Sequence, residues 1–203
     1  IGLVNNIELD HIDIYKDIDE IKVAFRSFLK LIPKNGLAVT NAKDKNTLDV
    51  LHETDKNIWK GASRPNTLSF HVKHGDFYVS GLKEKDGKLS FDVYFRAKRY
   101  ISDINTSLTG SYNVSNILGC IAISYFLKIP RSTIKSAIGS FSGVKRRAET
   151  IYEKNDISII DDYAHHPTAV LETLKGIRKR FHGKRLVLFF EPGSASSKKR
   201  IFE

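Results

Sequence analysis

The 203-residue chain can form one large domain or two small ones, and 41% of its residues are hydrophobic, which is enough for a packed core. It contains no run approaching the roughly 18 apolar residues that cross a bilayer, its first residues do not resemble a secretory signal, and its single cysteine fits a reducing cytoplasm. The net charge of +10 predicts an anionic partner, which could be nucleic acid, a membrane surface or a phosphorylated small molecule.

The first part of the chain predicts alternating strands and helices. The predicted elements are a strand at 2–7, a helix from Asp17 to Leu31, a turn at 33–36, a strand at 37–40 and a helix at 46–53. Asp17 is a candidate helix cap because its carboxylate can accept from the first backbone N–H groups. This alternation favours a parallel α/β sheet.

The middle of the chain predicts an antiparallel extension of that sheet, followed by two helices. Strands are predicted at 69–72, 77–79 and 89–95, with hairpin turns at 73–76 and 85–88. One helix is predicted from Val114 to Leu127, and a second begins at Ser132 as its cap. Cys120 lies in the apolar run of the first helix, so we expect a buried, inert thiol.

A joint is predicted at 143–147, after which the pattern begins again. A strand at 158–161, a helix from Thr168 to Phe181 and a strand from Leu186 to Phe190 predict a new β-α-β unit. The predicted fold class is therefore α/β. Residues 1–143 would form a mixed sheet with helices, and residues 144–203 would begin a second, Rossmann-like domain.

Five segments carry side chains that suit a ligand site. Residues 6–13 follow a strand and combine carboxylates with His11, which suits a divalent cation, although a solvated loop would look the same. Asn113 and Asn116 lie three apart at a helix start, where they can read an adenine edge or simply cap the helix. Arg147, in segment 143–149, suits phosphate oxygens or a basic interdomain surface.

The two remaining segments follow strands in the second half. Residues 161–168 read Asp-Asp-Tyr-Ala-His-His-Pro-Thr, which offers a carboxylate for ribose hydroxyls and imidazoles for phosphate or substrate carboxylate. Pro167 would preset the first turn of the next helix. Residues 190–200 form a small-residue loop that ends in cations and could hold an anion or could be flexible.

Taken in order, these segments resemble the Mur ligase family of ATP-dependent ligases. Residues 6–13 resemble the family's N-I-x-x-D-H-x-D segment, residues 110–116 its G-x-H-N-x-x-N segment, residues 143–149 its G-V-x-R-R-x-E segment, and residues 161–167 the D-D-Y-x-H-H-P of its UDP-N-acetylmuramate branch. The resemblance implies the later part of a central ATP-binding domain at 1–143 and the N-terminal part of the C-terminal domain at 144–203.

The resemblance also implies a reaction and residue roles. ATP would phosphorylate the carboxylate of UDP-N-acetylmuramate, and an amine would then displace phosphate from the acyl phosphate. The implied cofactor contacts are a magnesium ion at His11, adenine at Asn113 and Asn116, ATP phosphates at Arg147 and ribose at Asp162. His165, with Tyr163 beside it, would bind the acceptor, and His165 and Arg147 would be the catalytic residues. No nucleic acid or membrane partner is implied.

The acceptor is either a tripeptide or L-alanine. Residues 4–11, 165–169 and 191–194 resemble the recycling branch, which attaches L-alanyl-γ-D-glutamyl-meso-diaminopimelate, more than the branch that adds L-alanine. Two rivals stay open: a basic, non-catalytic α/β module that binds nucleic acid, and a relative of folylpolyglutamate synthase, against which the doubled histidine at 165–166 argues.

Three departures from the family pattern stand in the sequence. Tyr112 replaces the usual histidine, and Gly193 stands where the recycling branch has arginine, so Lys198 or Arg200 would have to bind the acceptor carboxylate. No Gly-Lys-Ser/Thr phosphate loop occurs, and the chain contains no methionine. We therefore expect a piece of a longer protein that does not turn over ATP by itself.

Overall fold

A computed structural model describes residues 1–59, 64–85 and 87–191, and its main feature is a six-stranded mixed sheet. The strands lie in sequence order, with the first four parallel and the last two antiparallel to their neighbours. They are β1 (Gly2–Val4), β2 (Leu37–Asn41), β3 (Asn66–Phe70), β4 (Phe77–Lys85), β5 (Lys88–Phe95) and β6 (Lys98–Thr106).

Helices cover both faces of this sheet. The helices are α1 (Ile18–Lys30), α2 (Lys45–Asn57), α3 (Ser111–Phe126) and α4 (Arg131–Ser140). Within β2, Ala38 packs in one apolar cluster with α1 and α2, whereas Leu37 and Val39 pack in the other with α3. Successive strand side chains point to opposite faces, so β2 has a core on each side, as predicted for a sheet between helices.

The predicted start of α1 is confirmed in detail. The Asp17 carboxylate accepts from the backbone N–H groups of Asp19 and Glu20, each at 3.0 Å. The predicted cap of α4 is wrong, because Pro130 is the N-cap residue and Ser132 lies inside the helix. The predicted burial of Cys120 is wrong, because the residue is exposed; its thiol is partly shielded from solvent, and this desolvation raises the thiol pKa.

The predicted hairpin at 73–76 is also wrong, since β4 pairs with β3 in parallel. The turning segment folds over the end of β3: the Asp76 carboxylate accepts from the backbone N–H and the hydroxyl of Ser69 at 2.9 and 3.0 Å. Gly75 has a φ of 104° and packs on the backbone of Phe70. This tight turn allows β4 to run in the same direction as β3. The hairpin that joins Lys85 to Lys88 is confirmed, with Asp86 outside the described residues.

The second half contains a two-stranded antiparallel sheet and one helix. These elements are β7 (Glu149–Lys154), β8 (Ile157–Asp161) and α5 (Pro167–Arg180). The sequence prediction missed β7, whose hairpin turn places Asn155 and Asp156 at φ values of 51° and 64°. The strand predicted at 186–190 does not form among the described residues. Phe189 there is 94% exposed, and a strand needs a neighbour for its backbone groups.

No helix within the described part of the chain is long and apolar enough to span a membrane.

Candidate functional site

The loop after β1 is held in place by the start of α2. Asp44 caps α2 by accepting from the backbone N–H of Thr47 at 2.7 Å, and the same oxygen accepts from the N–H of Ile7 at 3.2 Å. The Asn46 amide donates to the carbonyl of Ile7 at 2.9 Å. The backbone around Ile7 is therefore fixed, and the polar residues that follow it leave β1 in a defined direction.

The His165–His166 loop lies directly against that strand end. The Thr168 hydroxyl donates to Glu8 Oε2 at 2.6 Å, and His166 Nδ1 lies 3.4 Å from the same oxygen. His166 Nε2 is 3.3 Å from the Leu9 carbonyl, and His165 Nε2 is 4.0 Å from Asp10 Oδ2. Two segments that the sequence singled out separately therefore meet at one place.

Tyr163 is surrounded by cations and by His165. The guanidinium carbons of Arg146 and Arg147 lie 4.8 and 5.9 Å from its ring centroid. The ring meets that of His165 edge-on at 5.3 Å, and the Tyr163 N–H donates to the Arg146 carbonyl at 2.9 Å. Segments 143–149 and 161–168 thus form one basic, aromatic surface, and the anionic ligand that the sequence suggests for each segment stays a prediction.

Asp162 has a clear structural role. One of its carboxylate oxygens accepts from the backbone N–H of Ala148 and the other from that of Ala164, both at 2.7 Å. The carboxylate therefore joins the start of β7 to the loop after β8. Each oxygen keeps a second lone pair, so the predicted ribose contact is compatible with this role and stays a prediction.

Tyr112 brings the start of α3 to this site. Burial raises the pKa of its phenol, the negative charge of Asp162 raises it further, and Asn113 and Arg147 partly oppose the shift. The charges of Asp162 and Arg147 therefore act on this phenol. Tyr112, which the sequence marked only as a departure from the family pattern, is therefore a candidate site residue.

The two asparagines of α3 each have a partner within the protein. The Asn113 amide donates to the carbonyl of Thr109 at 2.7 Å, and Gly110 is the N-cap residue of the helix. Asn116 accepts through Oδ1 from the Asn5 amide at 3.0 Å. The sequence analysis missed Asn5 as a site residue, because its partner lies 111 residues away. The signal that could have identified Asn5 was its position directly after β1.

Two cavities border this region. One, of about 460 Å³, lies between Gly110, Ser111 and the face of α5 that carries Glu172 and Gly176. The other, of about 490 Å³, is lined by hydroxyl groups, one carboxylate and four cationic residues: Lys88, Lys145, Arg147 and Arg180. Both volumes are in the range of small-molecule sites, and the second cavity suits an anion.

His11 is the residue at which the sequence predicts a magnesium site. His11 has a φ of 51°, and its side chain is exposed at the end of the β1 loop. Across residues 1–59, 64–85 and 87–191, no three His, Cys, Asp or Glu side chains group as metal ligands. Magnesium usually keeps several waters and is bound through one or two protein groups together with substrate phosphates, so its contact with His11 stays a prediction.

Residues 192–200 of the predicted loop lie outside the described residues, and so do the predicted anion contacts of Lys198 and Arg200 and the departure at Gly193.

Comparison with known proteins gives the family. Residues 1–124 match the Mur ligase middle domain, and residues 146–202 match the Mur ligase, glutamate ligase domain. The chain is 34% identical to the UDP-N-acetylmuramate–L-alanine ligase of Clostridium perfringens, over 100% of this chain and 42% of that protein. The ligase of the same name from Desulforapulum autotrophicum is 35% identical, with the same coverage.

Solved structures show the same fold. MurF from Acinetobacter baumannii superposes with a TM-score of 0.73 at 19% identity, covering 87% of this chain and 37% of that one. The UDP-N-acetylmuramate-alanine ligase MurC from Thermotoga maritima gives 0.68 at 24% identity, covering 88% and 38%. A folylpolyglutamate synthase (FPGS) mutant from L. casei gives 0.70 at 20% identity, covering 89% and 42%.

The fold and the matched segments define an α/β ligase architecture, in which residues that match a middle domain are followed by residues that match a glutamate ligase domain. This chain belongs to the Mur ligase family. It spans about two fifths of the length of the curated relatives it matches, at 42% for the two named above.

Proposed function

We propose that this chain is part of an ATP-dependent ligase that joins an amine acceptor to the carboxylate of UDP-N-acetylmuramate. The observation that carries the proposal is the meeting of the His165–His166 loop with the end of β1, where Thr168 and Glu8 lie 2.6 Å apart. The two matched domains contribute facing segments to one site there. The relatives that match the chain over its whole length carry the name of such a ligase.

In the proposed reaction, the γ-phosphoryl group of ATP moves to a carboxylate oxygen of UDP-N-acetylmuramate, and ADP leaves. The acceptor amine then attacks the acyl carbon, loses a proton, and phosphate leaves with the broken C–O bond. Positioned cations stabilise the charge that develops on the transferred group. Arg147 would supply such a charge, because its guanidinium lies on the Tyr163 side of the site.

The remaining roles follow from position. Tyr163 and His165 would bind the acceptor, because their rings meet at the end of β1. Asp162 would accept from the ribose, and Asn113 and Asn116 would bind adenine beside Tyr112. For Asn116, the bond from Asn5 leaves its own amide N–H groups to donate to a ligand. We place the boundary between the two domains at 143/144, where Gly143 has a φ of 105°.

The acceptor is the finer part of the proposal. Residues 4–11 favour the tripeptide, whereas the curated relatives described above are named for L-alanine. The full-length ligase should be supplied with UDP-N-acetylmuramate and ATP, and ADP and phosphate release measured with L-alanine or with the tripeptide. Release that requires one of these acceptors supports the proposal and names the acceptor. Failure of both acceptors to support release would refute it.

A cytoplasmic location and the absence of a nucleic-acid partner are also proposed, since nucleotide-linked substrates and ATP are cytoplasmic compounds. The membership of the chain in a ligase family argues against the non-catalytic nucleic-acid module.

A further inference from the structure

Glu8 lies between the two matched domains and contacts both of them. One of its oxygens accepts from the Asn6 amide at 2.6 Å, within the central domain. The other accepts from the Thr168 hydroxyl at 2.6 Å and lies 3.4 Å from His166 Nδ1. Because Asn6 occupies one oxygen, the carboxylate is oriented and its second oxygen faces the start of α5.

Helix α5 begins with Pro167, but it lacks the polar side chains that usually stabilise a helix start. Its N-cap residue, His166, makes no side-chain capping bond, and its first turn carries no acidic residue. The first N–H groups of a helix carry partial positive charge and favour a nearby carboxylate. Glu8, which is 160 residues away in the sequence, brings that carboxylate to the first turn.

His165 lies one residue before the N-cap of α5 and has only long or local contacts. Its Nδ1 is 3.0 Å from the Tyr163 carbonyl, and its Nε2 faces Asp10 at 4.0 Å. A contact at 4.0 Å is too long to be a hydrogen bond, so His165 does not anchor the loop by itself. The shortest bond of this junction is the one that Glu8 receives from Thr168 at 2.6 Å, and His166 Nε2 adds a contact of 3.3 Å with the Leu9 carbonyl.

We infer that Glu8 is a positioning residue, which holds the loop carrying His165 against the end of β1 by accepting the hydrogen bond from the Thr168 hydroxyl. Its effect on ligation rests on the proposed function, whereas its effect on the arrangement of the two domains does not. Glu8 itself contacts neither the acceptor nor the reacting atoms in this assignment.

The first test measures the distance between the domains in the 203-residue chain. Spin labels would be placed at His52→Cys on α2 and Lys175→Cys on α5, in a Cys120→Ser background, since these side chains are exposed. We expect a narrow distance distribution that broadens equally in Glu8→Ala and Thr168→Val. The double variant should broaden no further, because both changes remove the same bond.

Conservative variants distinguish the loss of the bond between Thr168 and Glu8 from a general loss of structure. Thr168→Ser keeps a hydroxyl donor and Glu8→Gln keeps an acceptor oxygen, so both should retain the narrow distribution. Thr173→Val makes the same chemical change on α5 without a hydrogen bond to Glu8, and should have no effect. An unchanged distribution in Glu8→Ala and Thr168→Val, or equal broadening in Thr173→Val, would overturn the assignment.

The second test uses the full-length ligase. Thr168→Val should lower kcat/KM for the acceptor by about ten- to a hundredfold, as expected for a misplaced binding group, while the KM for ATP stays unchanged. Thr168→Ser should restore the rate. An equal loss for ATP and acceptor would contradict the positioning role. If the wild-type enzyme shows no ligation at all, the proposed function fails, and the distance measurement still decides the role of Glu8.

Discussion

Asp76 provides a direct test of the energetics of the central sheet. Its carboxylate accepts from the Arg96 guanidinium at 2.8 Å and from both the N–H and the hydroxyl of Ser69. Burial raises the pKa of this carboxyl group, but the hydrogen bonds from Arg96 and Ser69 outweigh burial and leave the pKa below its usual value. The charged form therefore stabilises the segment that turns the chain from β3 into β4.

Replacing Asp76 with asparagine keeps the shape and removes the charge. Hydrogen bonds to a charged group contribute about 1.5–3 kcal/mol each, but the Arg96 side chain is 64% exposed and its share must be discounted. We expect Asp76→Asn to lower the free energy of unfolding by about 2 kcal/mol, which corresponds to about 4–8 °C in Tm for a chain of this size.

The loss should depend on pH in a defined direction. Because the folded pKa of Asp76 is depressed, its stabilisation is complete above the unfolded pKa of about 4 and is lost as the pH falls through the folded value. Urea unfolding at a series of pH values would show wild type and Asp76→Asn converging in acid. Asp103→Asn is the control at an exposed site. Asn105 and Lys135 also lower the pKa of Asp103, but its side chain is 72% exposed and its φ of 54° is tolerated by asparagine, so its loss should be smaller. A difference that persists unchanged into acid, or an equal loss in the control, would refute this reasoning.

Three further predictions concern single positions. Gly75→Ala should destabilise the chain by about 1–3 kcal/mol, because the left-handed φ and the close backbone of Phe70 both oppose a Cβ. A thermal melt measures the loss of stability, and an unchanged Tm would contradict the prediction. Gly176→Ala should instead stabilise by about 0.5–1 kcal/mol, since the new Cβ meets only ordinary contacts at 3.7 Å in a helix interior, and a lower Tm would contradict that expectation. Ultraviolet titration of the wild type should show one phenol with a pKa above the ordinary value, and this phenol should be missing from the titration of Tyr112→Phe. Any stability linked to this raised pKa is present below the unfolded pKa and lost as the pH rises through the folded one; a phenol with an ordinary pKa would contradict the raised value.

The sequence by itself determined the elements whose signals are local. Apolar spacing and the Asp17 cap fixed α1, and Pro167 marked the first residue of α5. The same kind of pattern failed for residues 186–190, because an apolar run reports a tendency to be buried and cannot report whether a neighbouring strand is present. The direction of β4 was likewise undetermined, since it depends on how the Asp76 turn packs over β3.

For the candidate site, too, the sequence predicted one part and the tertiary structure decided the other. The residue types in segments 6–13, 110–116, 143–149 and 161–168 were visible in the sequence, and their resemblance to one family predicted that they belong together. Only the tertiary structure decided which side chains meet, because the bonds between Glu8 and Thr168 and between Asn5 and Asn116 join residues 160 and 111 positions apart. Such contacts leave no local periodicity, since they arise only when the helices and the sheet have packed.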